Sequence, residues 1–132
     1  MKSNLNFENI KIFYLLIIFF FSTFINQYYG YIGVYPIDTF LFFDSGNRVL
    51  NGEFPIKDFW AVSGITNDFI QALIFKIFGV SWFSYVLHAS LMNFLIAFFT
   101  FHTLLKFKLH INFSFLYALL VSVIAYPVAG LS

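Results

Sequence analysis

The sequence predicts an all-α, multi-pass membrane protein with about three transmembrane helices and two interfacial amphipathic helices in its first outward loop. Three observations predict this fold. Hydrophobic residues make up 61% of the 132 residues, and charged residues make up only 10%, against about 25% in an average soluble domain. Long apolar runs follow one another along the chain. Nearly all of the acidic residues lie in one stretch between those runs, residues 36–79.

Composition also excludes several classes of function. The net charge of +1 and the lack of a long basic stripe argue against a nucleic-acid partner, which would require many phosphate contacts. The chain has no cysteine, so disulfides, thiolate nucleophiles and thiolate metal sites are excluded. We assign no cofactor and no metal site from the sequence.

The first predicted transmembrane helix covers residues 12–34 and follows a polar N-terminal segment, residues 1–11. Its uncharged core, IFYLLIIFFFSTFI, is shorter than the roughly 20 residues that a span needs, but the continuation to Val34 reaches that length. A signal peptide is the rival interpretation. Because Asn26 and Gln27 follow the core in place of a small-residue cleavage site, we predict an uncleaved helix.

Two further apolar runs follow the 36–79 stretch. Residues 81–105 are long enough to span and form the second predicted transmembrane helix. A short basic turn, residues 106–111, leads to a third apolar run at residues 112–132. That run reaches Ser132 without a polar tail, so we expect the third helix to be truncated and the chain to be part of a longer protein.

Lysines predict the orientation of these helices. Lys2 and Lys11 flank one end of the first span, and Lys106 and Lys108 follow the second. Positive residues favour the cytoplasmic side of a membrane. We therefore expect a cytoplasmic N-terminus in the cell inner (plasma) membrane, with residues 35–80 forming an extracytoplasmic loop.

The loop contains two predicted helices, at about residues 38–51 and 66–78. The first is expected to end at Gly52 and the second at Gly79, because glycine commonly terminates helices. Asp44 and Arg48 are four residues apart, which is the spacing of an ion pair on a helix. Residues 51–60, NGEFPIKDFW, contain glycine, proline and three charges and are predicted to form an irregular loop.

Polar residues inside the second span point to contacts between helices. His88 and Asn93 interrupt an otherwise apolar run. Polar groups are costly in lipid and tend to face protein. No second ligand at metal spacing accompanies His88, so we predict that both residues form hydrogen bonds between helices.

In the order of its elements the chain resembles a known family. An Asp follows the first span, a short helix closes on glycine, a Pro-x-x-Asp-Phe-Trp segment follows, and a glycine-led helix ends in ALIFKIFG, residues 72–79. Residues 12–105 resemble the N-terminal part of GT-C superfold membrane glycosyltransferases, especially relatives of protein O-mannosyltransferase and of the aminoarabinose transferase that modifies lipid A. Asp38 and Gly52 stand where the family has its first-loop Asp and loop Gly. Thr39 replaces the Glu that many relatives have after the Asp, which leaves the subfamily open.

The resemblance implies transfer of a sugar from a polyprenyl-phosphate donor to an acceptor on the extracytoplasmic face of the membrane. Such a reaction needs a carboxylate that takes a proton from the acceptor hydroxyl, and the resemblance assigns this catalytic role to Asp38. Weaker candidates for substrate binding are the remaining polar and aromatic groups of the loop: Asp44, Asp58, Trp60, Arg48 and Lys57. Enzymes of this family use later helices for the donor site, so we expect these 132 residues alone to be inactive.

Structural explanations compete with the roles of all three aspartates. Asp38 is also a suitable N-cap for a helix that begins at Thr39. Asp44 has its ion pair with Arg48, and turn formation explains Asp58. A small non-catalytic accessory or scaffold protein of the membrane is the alternative function, and the oligomeric state stays open.

Overall fold

The computed structural model describes the backbone of residues 2–32, 36–62 and 64–124, and the side chains of residues 7–32, 39–62 and 64–124. Within these ranges the fold is all-helical, as predicted, and contains five helices and no strand. The helices are α1 (Lys2–Gly30), α2 (Pro36–Leu50), α3 (Ile65–Phe78), α4 (Trp82–Lys106) and α5 (Ile111–Ile124).

Two of the described helices are long and apolar enough to cross a membrane. The stretch Phe7–Gly30 of α1 has 24 residues, and α4 has 25. At 1.5 Å per residue each is longer than the hydrocarbon core of about 30 Å. This suggests a membrane protein. Helix α5 is apolar but has only 14 described residues, and the rest of the predicted third span, residues 125–132, lies outside the described residues.

The helix starts differ from the predicted boundaries. Helix α1 is helical from Lys2, ten residues before the predicted start of the span. The charged residues in its first turns do not interrupt it, because Lys11 and Glu8 lie one turn apart, with 3.7 Å between Nζ and Oε2. Helix α2 begins at Pro36 rather than at residue 38, and proline is well suited to a first helical turn.

The chain divides into two compact units, which we describe separately. The described residues of the first unit are 2–28 and 90–124, and its apolar core is Ile18, Ala97, Phe101 and Ala118. The two alanines leave room for close helix packing. At the edge of the core the Tyr14 ring stacks on Phe115 at 4.2 Å between centroids.

A buried amide joins the three helices of the first unit. Asn93 on α4 is fully buried, and its Nδ2 donates to the Ser122 carbonyl on α5 at 2.9 Å and to the Ser22 carbonyl on α1 at 3.4 Å. Asn26 Nδ2 also donates to the Ser22 carbonyl, at 3.1 Å. The prediction that Asn93 forms hydrogen bonds between helices is confirmed.

The described residues of the second unit lie between residues 29 and 89 and include α2 and α3. The two helices are antiparallel, because Phe43 contacts Phe75 while Gly46 lies against Gln71, further back along α3. A Cβ on Gly46 would approach Gln71 Cγ to 2.4 Å. The packing of Gln71 against α2 therefore favours a glycine at position 46.

Glycines end both helices, as the sequence predicts. After α2, the N–H of Gly52 donates to Val49 O and the N–H of Glu53 donates to Arg48 O, which is the Schellman arrangement. The φ of Gly52 is +93°, which disfavours other residues. After α3, Gly79 has a φ of +84°.

The second unit also joins the end of α1 to the start of α4. The Trp82 indole N–H donates to the Gly30 carbonyl at 2.8 Å. The last residue of α1 and the first residue of α4 are therefore in contact, and the stretch between these helices begins and ends at neighbouring points. We call residues 36–79 of this stretch the interspan segment.

Candidate functional site

Asp38, the predicted catalytic base, belongs to the first turn of α2. The helix begins at Pro36, two residues before Asp38, and so earlier than the N-cap interpretation requires. Acidic groups in a first turn interact favourably with the helix dipole. The Asp38 side chain lies outside the described residues, and its catalytic role stays a prediction.

At the other end of α2, Arg48 has two acidic partners. Its Nε lies 2.6 Å from Asp44 Oδ2, which confirms the predicted ion pair, and its Nη1 lies 3.2 Å from Glu53 Oε2. The hydrogen bond that Arg48 donates to Asp44, followed by the charges of Asp44 and Glu53, raises the pKa of Arg48 above its ordinary value. The guanidinium carbon also lies 5.6 Å from the centre of the Phe59 ring. Arg48 therefore holds the end of α2 against the loop that follows.

The loop from Glu53 to Trp60 is closed by its own hydrogen bonds. Asp58 Oδ2 accepts the N–H of Phe54 at 2.8 Å, and the N–H of Asp58 donates to the Phe54 carbonyl at 2.9 Å. The N–H of Ile56 donates to the Phe59 carbonyl at 2.8 Å. Asp58 therefore has the turn-forming role that competes with substrate binding. Ile56 is held at a φ of +74°, which is costly for a β-branched residue.

Two of the predicted substrate-binding residues extend from this loop into open space. The Trp60 residue is 87% exposed, and the Lys57 side chain is 79% exposed. Lys57 Nζ lies 3.8 Å from Asp58 Oδ1. An exposed indole is suited to stacking on a sugar ring, and an exposed ammonium is suited to a phosphate.

The structure does not bring all of the predicted residues together. Asp38 and Arg48 are ten residues apart on α2, which corresponds to about 15 Å along the helix axis. The loop that contains Asp58 contacts the Arg48 end. Since proton transfer requires atoms within about 3 Å, this arrangement does not favour a shared role for Asp58 and Asp38 in proton transfer.

A buried polar pair lies on the inner side of α3. Gln71 Oε1 lies 2.7 Å from His88 Nδ1 on α4, and both residues are buried. The prediction that His88 bonds to another helix is confirmed. Within the described residues, neither Gln71 Nε2 nor His88 Nε2 has a hydrogen-bond partner. Asp68, one turn before Gln71, is fully buried.

Sequence reasoning did not identify this buried face. Asp68 and Gln71 are three residues apart and therefore lie on the same side of a helix. That shared side was the available signal, because two polar residues on one face of a helix face either water or a polar interior. Which of the two applies depends on packing against α2, including the close contact at Gly46.

Comparison with protein-family models, curated proteins and solved structures finds no match to this chain. In the part of the chain that the structure describes, no three His, Cys, Asp or Glu side chains are grouped so that they could hold a metal ion. The arguments for function therefore come from the sequence resemblance and from the geometry of the interspan segment.

Proposed function

We propose that this chain is the N-terminal part of an integral-membrane glycosyltransferase of the GT-C type, which moves a sugar from a polyprenyl-phosphate donor to an acceptor. The observation that carries the proposal is the position of Asp38. It lies in the first turn of α2, shortly after a helix long enough to span a membrane. A lipid-linked donor cannot leave the bilayer, so a catalytic carboxylate must lie close to the end of a span.

The proposed arrangement in the membrane has three spans, formed by α1, α4 and a third helix that includes α5. Helices α2 and α3 are interfacial, the N-terminus is cytoplasmic, and the interspan segment faces the extracytoplasmic side of the inner membrane. The lysines near the ends of α1 and α4 support this orientation. The hydrogen bond between Trp82 and Gly30 supports the placement of both ends of the segment on one side.

The proposed roles come from the sequence resemblance and from the contacts within the interspan segment. Asp38 removes the proton from the acceptor hydroxyl as the hydroxyl attacks the anomeric carbon, and the polyprenyl phosphate leaves as an anion. Trp60 stacks on a sugar ring. Lys57 is better placed than Arg48 to bind the donor phosphate, because Arg48 is engaged by two carboxylates. Asp44 and Asp58 maintain the structure of the segment.

The test is a transfer assay with the protein expressed from its complete reading frame. Membranes containing the wild type, Asp38→Asn or Asp44→Asn are incubated with a radiolabelled polyprenyl-phosphate sugar. Loss of a general base lowers rates by about 10² or more, so we expect that loss for Asp38→Asn and near-normal transfer for Asp44→Asn. Unchanged transfer by a normally inserted Asp38→Asn variant would refute the assignment. No transfer by the wild type would favour the accessory or scaffold function.

A further inference from the structure

The pair formed by Gln71 on α3 and His88 on α4 is enclosed within the second unit. Gln71 is 2% exposed and His88 is 7% exposed, and Gln71 Oε1 lies 2.7 Å from His88 Nδ1. Helix α2 covers Gln71 as well, because a Cβ on Gly46 would approach Gln71 Cβ to 2.9 Å. The pair therefore lies where α2, α3 and the first turns of α4 meet.

Each member of the pair has a second polar atom that no described residue satisfies. These atoms are Gln71 Nε2 and His88 Nε2. A buried polar atom without a hydrogen bond destabilises a fold, and most such atoms in native proteins have a partner in the protein or in bound water. One bound group that satisfies both atoms would remove both costs.

The chemistry of that group follows from the bond between the two side chains. With Gln71 Oε1 as acceptor, His88 Nδ1 carries the proton, so His88 Nε2 is an acceptor and Gln71 Nε2 is a donor. If the oxygen and nitrogen of the Gln71 amide are exchanged, the tautomer of His88 changes with them, and both roles are reversed. In either arrangement the neutral pair offers one donor group and one acceptor.

We propose that Gln71 and His88 bind one hydroxyl group, which donates a hydrogen bond to one residue and accepts a hydrogen bond from the other. A carboxylate or a fully ionised phosphate offers acceptors only, and an ammonium offers donors only, so neither satisfies both atoms. A metal ion has no hydrogen-bond donor for the pair. In the described part of the chain, no three His, Cys, Asp or Glu side chains are grouped around such an ion.

Two sources supply a hydroxyl with this chemistry: water, and the sugar of the lipid-linked donor in the proposed function. His88 is six residues after Trp82, which is about 9 Å along α4 from its first residue. The nearer entrance to the site is therefore the end of α4 that adjoins the interspan segment. The inference rests on the contacts of α3 with α4, and only the sugar as a source rests on the proposed function.

The test is solid-state NMR of the full chain in bilayers with ¹⁵N-labelled histidine, at about pH 8, where unperturbed histidines are neutral. The chain has three histidines, and the variants His102→Gln and His110→Gln identify the His88 signals without changing the pair. His102 is the internal reference for an imidazole with its proton on Nδ1, because its Nδ1 lies 3.0 Å from the Phe98 carbonyl. We expect one protonated nitrogen in His88 and a cross-peak between Nε2 and an O–H proton.

A second sample contains polyprenyl-phosphate glucose with a ¹³C-labelled sugar and distinguishes the two sources. A contact between the sugar carbons and His88 Nε2 would identify a sugar hydroxyl, and an unchanged cross-peak to water would identify water. Both outcomes support the inference. The lack of any O–H proton near Nε2 in both samples would overturn it, as would two protonated nitrogens in His88, because the pair would then offer donors only. A wild type that shows the cross-peak without sugar transfer would overturn the proposed function alone.

Discussion

The two units differ in where they place their charges. In the described residues of the first unit, charged side chains occur near the ends of the long helices, at Glu8, Lys11, Lys106 and Lys108, and exposed apolar residues cover the helices between them. In the second unit, α3 exposes apolar residues together with Lys76 in its last turn, and α2 carries the ion pair of Asp44 and Arg48. An apolar surface all round suits lipid, and a two-faced surface suits the boundary between lipid and water.

Both units bury polar side chains, but these side chains form different kinds of hydrogen bond. In the first unit, Asn93 donates to backbone carbonyls of two other helices and so joins three helices. In the second unit, Gln71 and His88 pair with each other through side chains. Backbone carbonyls are present in any helix, whereas a pair of side chains requires a matching residue. Asn93 is therefore expected to tolerate changes in its neighbours better than Gln71.

The largest expected effect is in the second unit, at the close contact between Gly46 on α2 and Gln71 on α3. Gly46→Leu would place side-chain atoms where Gln71 and Phe75 now lie, and we expect a loss of about 3 kcal/mol in the free energy of unfolding. Both tryptophans, Trp60 and Trp82, belong to this unit. Their fluorescence during denaturant titration in detergent therefore measures its stability.

Asp44→Leu is the matched control, because it adds the same side chain at an exposed position of the same helix. Its unfolding midpoint should stay close to that of the wild type, since exposed ion pairs contribute little. Equal midpoints for Gly46→Leu and Asp44→Leu would show that α2 and α3 do not pack closely at Gly46.

A smaller effect is expected at the buried amide of the first unit. Asn93→Leu removes the bonds to Ser22 and Ser122, and hydrogen bonds between membrane helices contribute about 1 kcal/mol. Hydrogen exchange of the α5 amides in micelles should become about fivefold faster. Thr103→Leu, at an exposed position of α4, should leave this exchange unchanged. Unchanged exchange of the α5 amides in Asn93→Leu would show that the Asn93 side chain does not join the helices.

The smallest effect is expected in the loop. Asp58→Ala removes the acceptor of the Phe54 N–H, which costs about 1 kcal/mol locally and leaves global unfolding nearly unchanged. The Phe54 amide should exchange faster in this variant. Asp58→Asn keeps an oxygen acceptor and should preserve most of the protection. Full protection of Phe54 in Asp58→Ala would exclude the turn-forming role of Asp58.

Features that depend on local sequence could be predicted. The ends of α2 and α3 follow from Gly52 and Gly79, and the ion pair between Asp44 and Arg48 follows from their spacing. The contacts of His88 and Asn93 with other helices follow from the cost of polar groups among apolar residues. In each case a short stretch of chain contains the cause.

Features that depend on which faces meet could not be predicted. The contact between Gly46 and Gln71 joins residues of two helices, and nothing in either helix alone indicates it. For the same reason the polar side of α3 could not be assigned to the interior. The separation of about 15 Å between the Asp38 and Arg48 ends of α2 is a further example, because the sequence places five of the six acidic residues in one segment without showing their separation.

We propose that the second unit has an aqueous, extracytoplasmic face and that lipid covers the surface of the first unit. Thiol labelling in intact bacterial spheroplasts with a membrane-impermeant maleimide tests it most directly, using Asp44→Cys and Phe99→Cys. We expect rapid labelling of Asp44→Cys without lysis and no labelling of Phe99→Cys before or after lysis. Labelling of Asp44→Cys only after lysis would reverse the proposed orientation. Equal labelling of both variants in intact spheroplasts would contradict the division into lipid-covered and two-faced units.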